Sequence, residues 1–485
     1  MRTNQTFQMP RIKKLTDIVD WRLCLGCGAC AYICPNDRVQ LVDFFAEGIR
    51  PVAAAGDCGD CVLCLDVCPA LHTNFRLEAT PTQSRPRNEP APDDGVTKDW
   101  GQVLEIWEGH ASDQEIRFKG SSGGILTALA LYCVERAGMH GVLHTGQDPA
   151  DPIRNRTRLS RTRSELLAAA GSRYSPASVC DGLGLVESAP SPCVIVGRPS
   201  EIAAVRNAAR LRPELDRNVG VILSFFCAES PSTRGTIELL ESLGVDPASV
   251  LDLRYRGHGW PGHFAPMRAG DTEPCRKMTY SQSWEFLQAY RPWSVQLWPD
   301  GSGELADISC GDPWYEAPDG KNPGFSLVVA RTERGCEIIE AAMAAGYLSL
   351  KPAEPWKLAK SQSGLLAKKG SVWGRRLAMR LFGLPVTRLE GLDLWHCWKP
   401  LAIEEKLRAI FGTIRRIITR RLYRPMELDA YRAKPVGEPI PGSTTGRPVM
   451  NAPSAGGAPD ATHTGRPDPC PSEQRGGPAG LDLRP

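Results

Sequence analysis

The chain is expected to fold as several domains of mixed class. A small α+β module comes first, then an α/β domain with a largely parallel or mixed sheet, then a helical C-terminal extension and a disordered tail. Three observations predict this. One four-cysteine pattern occurs twice between Cys24 and Cys68. From about residue 100 to 350, apolar strand-like runs alternate with amphipathic stretches, as in α/β domains. From residue 432 onward Pro, Gly, Ala, Ser and Thr dominate and large apolar residues are scarce, which leaves no core to fold around.

The front module, residues 1–80, is set by its cysteines. The first run is Cys24-Leu-Gly-Cys27-Gly-Ala-Cys30-Ala-Tyr-Ile-Cys34-Pro35 and the second Cys58-Gly-Asp-Cys61-Val-Leu-Cys64-Leu-Asp-Val-Cys68-Pro69. This is the C-x2-C-x2-C-x3-C-P spacing of bacterial two-cluster ferredoxins, in which the fourth cysteine of each run serves the other cluster. Cys24, Cys27, Cys30 and Cys68 are therefore assigned to one 4Fe-4S cluster, and Cys58, Cys61, Cys64 and Cys34 to the other. Pro35 and Pro69 turn the chain away after the crossing ligands. Gly26, Gly28 and Gly59 keep side chains off the loops, so that backbone N–H groups can approach the sulfurs. Zinc sites use two C-x2-C pairs and have no use for this pattern twice over. Disulfides suit short secreted domains, and no secretory signal is present.

Residues 81–99 are proline-rich and polar and read as a linker. The α/β domain spans 100–354. Cys193–Gly197, Val219–Phe226 and Phe325–Ala330 read as buried strands. Ile125–Arg136, Glu201–Arg210, Gly235–Leu243 and Cys336–Ala345 read as helices. The extension, 355–431, mixes basic and apolar residues at helical spacing, most densely over Lys406–Arg424. That helix has two readings: a dock for a partner or an anionic membrane surface, in peripheral contact, or an ordinary surface helix with a solvated basic face. The second is preferred. Residues 432–485, with Cys470, form the expected tail.

The bulk numbers exclude several classes. At 485 residues there is room for two or three domains, and 42% hydrophobic content is enough for real cores. A net charge of +3 implies no nucleic-acid partner. No apolar run reaches membrane-spanning length and no signal pattern opens the chain. Seventeen cysteines without an export signal point to a reducing cytoplasm.

Within the α/β domain, Lys119-Gly-Ser-Ser-Gly-Gly124 precedes a helix and offers backbone N–H groups to an anion, or simply caps that helix. Gly171-Ser-Arg-Tyr-Ser-Pro176 places a cation beside an aromatic, either for a ring and phosphate or as a plain turn. Tyr255-Arg-Gly-His-Gly-Trp-Pro-Gly-His263 is a dense polar loop whose His258 and His263 are acid–base candidates. Asp307-Ile-Ser-Cys-Gly-Asp312-Pro-Trp314 adds Asp312 as a third, or as an Asx-turn residue.

These motifs in this order, with Gly120-Ser-Ser-Gly-Gly-Ile-Leu-Thr-Ala-Leu129, Val196-Gly-Arg-Pro-Ser-Glu-Ile-Ala-Ala-Val205, Ser224-Phe-Phe-Cys227, Arg254–Gly262, Gly311-Asp-Pro-Trp314, Gly324-Phe-Ser326 and Arg331-Thr332, resemble the coenzyme F420 hydrogenase/dehydrogenase beta-subunit family over roughly residues 20–350. The resemblance implies an FAD-binding domain that passes electrons between a two-electron donor or substrate and the clusters. By it, Ser121, Ser122, Gly123 and Gly124 contact the flavin, with Arg173 and Tyr174 nearby. The implied partners are a reduced carrier (ferredoxin, coenzyme F420 or NAD(P)H) or a redox protein. Two alternatives stand beside this oxidoreductase reading: a non-catalytic electron-relay subunit of a larger complex, and a redox or scaffold protein in surface-polysaccharide biosynthesis. One departure matters. Where many relatives carry a cysteine after Gly-x-Pro, this chain has Ser200, which removes one ligand from any third cluster. Cys180, Cys193, Cys227, Cys275 and Cys310 remain, mostly expected as buried apolar residues. Cys227 and Cys310 are the best placed of them as further ligands.

Overall fold

The computed structural model describes residues 12–54, 58, 60–77, 94–318, 322–428 and 433–436. The front module carries a hairpin, β1 (Val39–Phe44) and β2 (Gly48–Ala53), and the short strand β3 (His72–Asn74). The large domain supplies β4 (Glu105–Ala111), β5 (Val142–Asp148), β6 (Asp151–Ser160), β7 (Cys193–Gly197), β8 (Val219–Phe225), β9 (Val250–Arg254), β10 (His263–Arg268), β11 (Met278–Thr279), β12 (Ile308–Gly311), β13 (Ser326–Ala330) and β14 (Leu348–Pro352). The extension adds β15 (Arg388–Glu390) and β16 (Ala433–Pro435).

Eight strands form one mixed sheet in the order β14-β4-β13-β12-β8-β7-β5-β6. Its centre, β12-β8-β7-β5, is parallel, and β13 and β6 flank it antiparallel. The expected mixed sheet is thus present. Its parallel centre reads as near-continuous apolar runs because both faces are covered. Side chains alternate between the faces: Val194, Val221 and Leu223 meet the helices Ile125–Glu135 and Glu333–Ala344. Ile195 and Ile222 meet the helix Pro199–Leu211 and a core that runs on into the front module. Three of the four expected helices begin two or three residues earlier than expected, the caps being Arg198, Ser232 and Thr332. Thr332 accepts the Gly335 N–H, and Glu201 closes the capping box of its helix.

The extension is helical, as expected, with Ser363–Leu381 and Ile403–Thr419 its main helices. It also reaches back to the front module. β15 pairs in parallel with β3, and β16 pairs antiparallel with β1. The start of the expected tail is therefore a strand: residues 433–435 satisfy the open edge of β1, which overrides their poor composition. The end of the expected linker is helical, from Asp94. The rest of the linker up to residue 93, and residues 437–485 with Cys470, lie outside the described residues, as does Gly59.

Candidate functional site

The two cysteine runs come together crosswise. Cys24, Cys27, Cys30 and Cys68 line one small cavity, walled by Leu15, Ile18, Leu41 and Ala70. Burial pushes the Cys30 and Cys68 thiols well above the ordinary range, and the thiolates of Cys27 and Cys24 add to it. Cys64 is pushed up to about 11 by burial, with Cys61 and Cys34 as its nearest charged neighbours. Among the described residues, no group of His, Cys, Asp or Glu is placed for a single metal ion. A cubane holds its four thiolates wider apart than one ion would, and its irons offset the mutual repulsion of these thiolates. Gly26 and Gly28 hold φ of 73° and 90°, and a Cβ on Gly28 would meet the Asp181 backbone nitrogen at 2.9 Å. The loop thus packs bare backbone against residues 178–182 of the large domain.

That contact is chemical as well as steric. The Cys180 N–H donates to the Cys27 carbonyl at 3.0 Å and its thiol donates to the Glu201 carbonyl at 3.4 Å, while the closeness of that thiol holds the Cys27 thiol below its usual range. Cys180, expected as an inert buried residue, is a neighbour of a cluster ligand. Just behind it, Glu201 accepts from the Val179 N–H at 3.2 Å and from Arg198 at 2.9 Å.

Glu201 and Arg198 also line the main cavity, of about 700 Å³. It opens at the carboxyl ends of β7, β8 and β12, where open α/β sheets bind ligands. Its other walls are the turn at 120–127, the loop at 170–175, the helix Tyr280–Leu287 and both main extension helices. Arg256 ties the entrance together. Its guanidinium forks onto both Asp312 oxygens at 2.7 and 2.8 Å, donates to the Ser121 carbonyl at 2.6 Å and to the Pro261 carbonyl at 3.0 Å. It sits 4.2 Å over the Tyr280 ring. Burial opposes its charge, but Asp312, Tyr174 and Tyr280 together outweigh this and hold it well above the ordinary arginine range.

The expected flavin residues meet this cavity unequally. Ser121, Ser122, Gly124, Arg173 and Tyr174 line it. Gly123 lies behind, where a Cβ would strike the Gly109 carbonyl at 2.7 Å, and its N–H goes to Ser326. The Ser122 hydroxyl is spent on Ser326 as well, and that of Ser121 on the Ser172 N–H. Arg173 is not a free anion binder. Its five N–H groups go to Asn155, Gln147 and the carbonyls of Leu253, Pro152 and Arg154. It pins strands together, and no donor is left over for a phosphate.

Of the acid–base candidates, only Asp312 reaches the cavity. His258 is largely exposed, its ring lies 5.2 Å from that of Phe118 at a 43° tilt, and its imidazole is held below its usual range by partial burial and by Arg254. His263 is exposed on β10. Neither lines the cavity, because the tip of the loop turns outward while Arg256 and Trp260 turn in. Ser200 donates to Glu229 at 3.0 Å, inside a buried network with Arg198. Cys227 and Cys310 line the cavity, whereas Cys193 is buried in β7 and Cys275 sits at 3.5 Å from the Pro266 carbonyl.

Two parts of the site were not foreseen. Tyr280, Trp284 and Trp314 form an aromatic wall with Tyr174. The Tyr280 and Trp314 rings lie 5.5 Å apart and 2° from parallel. The signal was Tyr280 and Trp284 four apart, one helical turn. The second is a set of cations from the extension. The basic helix Ile403–Thr419 buries Ala409, Thr413 and Ile417 and turns Arg408 and Arg416 onto the cavity. Its basic side is thus only partly a solvated face, while Leu407, Phe411 and Ile418 remain exposed. Among the described residues no helix is long and apolar enough to cross a membrane.

Comparison with known proteins finds three matching regions. Residues 16–76 match the 4Fe-4S dicluster domain. Residues 106–183 match the N-terminal part, and 192–355 the C-terminal part, of the coenzyme F420 hydrogenase/dehydrogenase beta subunit. The coenzyme F420 hydrogenase subunit beta of Methanococcus voltae is 27% identical over 59% of this chain and 99% of its own. The coenzyme F420-dependent sulfite reductase of Methanocaldococcus jannaschii is 25% identical over 68% of this chain, which spans 47% of that protein. The solved F420-reducing NiFe hydrogenase complex from Methanosarcina barkeri contains a chain 23% identical, with a TM-score of 0.48, covering 60% of this chain and 97% of that one. The cysteine module, the sheet and the ordered motifs lead to one conclusion: the chain belongs to the coenzyme F420 hydrogenase/dehydrogenase beta-subunit family and carries an N-terminal 4Fe-4S dicluster domain.

Proposed function

We propose that the chain is an iron–sulfur flavoprotein oxidoreductase that moves electrons between a two-electron carrier and two 4Fe-4S clusters, through FAD held in the main cavity. One observation carries this reading. The cavity and the nest of Cys24, Cys27, Cys30 and Cys68 share a wall one turn thick, from Glu201 through Val179 and Cys180 to Cys27.

The residues fit a flavin. Ile125, Leu126 and Thr127 line the cavity, and as the first turn of a helix their N–H groups lack intrahelical partners, which suits a diphosphate. The wall of Tyr280, Trp284 and Trp314 offers faces for a ring system. When bound, FAD exchanges electrons in pairs or singly, which links a hydride carrier to one-electron clusters. The protein's own part is placement. Arg256 locks the 121 turn to the Asp312 turn, Arg173 fixes the strands beneath, and the packed tryptophans exclude water. Reduced coenzyme F420 is the first carrier to test, since the named relatives use it.

Anaerobic purification with iron, sulfide and flavin analysis tests the proposal. Iron near eight per chain, one FAD, and bleaching by reduced coenzyme F420 support it. Iron without flavin refutes the flavoprotein reading. It leaves the relay subunit, which the exposure of Cys58 and Cys61 favours by putting the second cluster at a surface a partner can reach.

A further inference from the structure

Arg291, Lys368, Arg375 and Arg416 all line the main cavity on the side built by the extension. Their charges are only weakly compensated: Glu229 attracts Lys368 from a distance, and Glu405 lines the same cavity. Among the described residues none of the four pairs with a carboxylate. The nearest acid, Glu229, is taken by Arg198, and the neighbouring Lys369 is taken by Glu304. Lys368 is 9% exposed, and among the described residues its one hydrogen bond goes to the Ala228 carbonyl at 3.4 Å. Arg291 shares that carbonyl at 3.2 Å, and Arg375 reaches the Gln296 carbonyl at 2.6 Å.

The groups also repel one another. Burial pushes Arg375 down to about 10, and Arg416 and Arg291 push the same way. Holding such charges together in a half-closed cavity is unfavourable unless an anion joins them. Arginine forks match phosphate oxygens two at a time, and a lysine adds a point charge. One carboxylate would satisfy a single fork, whereas a phosphate or diphosphate has the charge and the oxygens for all four. Three of the four cations lie beyond residue 355, where the match to the family model ends.

We propose that these four cations bind a phosphate or diphosphate group on the molecule that exchanges electrons with the flavin, so that the chain's small-molecule reactant is a phosphorylated one. This rests on the flavoprotein reading only for the role of the ligand. The pocket itself is tested without it.

The experiment is calorimetric titration of the anaerobically purified full chain with inorganic pyrophosphate, beside Lys368→Gln, Arg375→Gln and the charge-keeping Lys368→Arg. Flavin is measured in each sample. The expected result is binding by the wild type, weakened about tenfold or more by each glutamine variant and retained by Lys368→Arg, with flavin content unchanged. Equal affinity in all four proteins, or no binding by the wild type, overturns the proposal. Loss of flavin with the loss of pyrophosphate binding also overturns it, because the cations would then hold the flavin's own diphosphate. A wild type without flavin that still binds pyrophosphate through Lys368 refutes the flavoprotein reading and keeps the pocket. Vesicles with and without phosphatidic acid separate the sources: Lys368-dependent sedimentation assigns a lipid headgroup, and its absence a soluble phosphate.

Discussion

Removing the Asp312 carboxylate should loosen the whole cavity entrance. Asp312 accepts two N–H groups of Arg256 and the indole N–H of Trp260 at 3.1 Å. The Arg256 side chain is 2% exposed and that of Asp312 18%. Asp312→Ala strands a buried guanidinium and three donors. Breaking a buried pair from one side costs about 3–5 kcal/mol, and the partial exposure of Asp312 places the effect near 3. For a domain of about 250 residues, the unfolding entropy is near 0.5 kcal/mol/K, so the melting temperature should fall by about 6 °C. Arg256 also holds the Ser121 carbonyl, so bound flavin should fall with it. The assay is thermal unfolding by circular dichroism under anaerobic conditions, with iron and flavin measured in each sample. A drop below about 2 °C at unchanged iron content would show that the Arg256–Asp312 fork does not hold the entrance together.

Three other outcomes are expected. Cys27→Ser should lower iron from about eight to about four per chain while the large domain stays folded; unchanged iron would sink the ligand assignment. Cys180→Ala should leave iron unchanged but shift one cluster to a more negative potential, because the thiol that holds the Cys27 sulfur below its usual range is lost; an electron-spin-resonance redox titration reads this, and an unshifted potential refutes it. Lys368 gives a pH signature. Burial pushes it down to about 8, against the pull of Glu229, while the unfolded chain keeps that proton up to 10.5. The folded state is therefore penalised by about 3 kcal/mol below pH 8, and the penalty lifts as pH rises towards 10.5. Lys368→Met should be the more stable protein at pH 7 in urea, with the gap closing near pH 10.5; a gap that does not change with pH contradicts this.

Local chemistry was legible in the sequence and long-range assembly was not. The 4Fe-4S dicluster module could be read because one tight loop sets the spacing of its cysteines. The strands Cys193–Gly197 and Val219–Phe225 could be read because burial on both faces makes their sequence continuously apolar. Arg173 misled, since a cation beside an aromatic looks the same whether its donors face a ligand or five acceptors of its own fold. His258 and His263 misled because one loop sends alternate residues inward and outward. The cation pocket was hidden for a different reason. Arg291 and Arg416 are brought together only by the packing of the extension helices, and a basic stretch alone does not say which of its charges turn inward.

The clasp of β15 and β16 on the front module has a consequence for synthesis. All eight cluster cysteines leave the ribosome early, but the backbone that completes their module comes last. β3 waits for Arg388–Glu390, β1 for Ala433–Pro435, and the Asp20 carbonyl for the Met426 N–H. Contacts so distant along the chain form slowly, and until they form the edge of β1 is open to wrong partners. Iron loading is thereby tied to completion of the chain. A nascent or truncated product that ends after Thr419 keeps every ligand and lacks the clasp, so it should lose its clusters to chelators faster than the finished protein does.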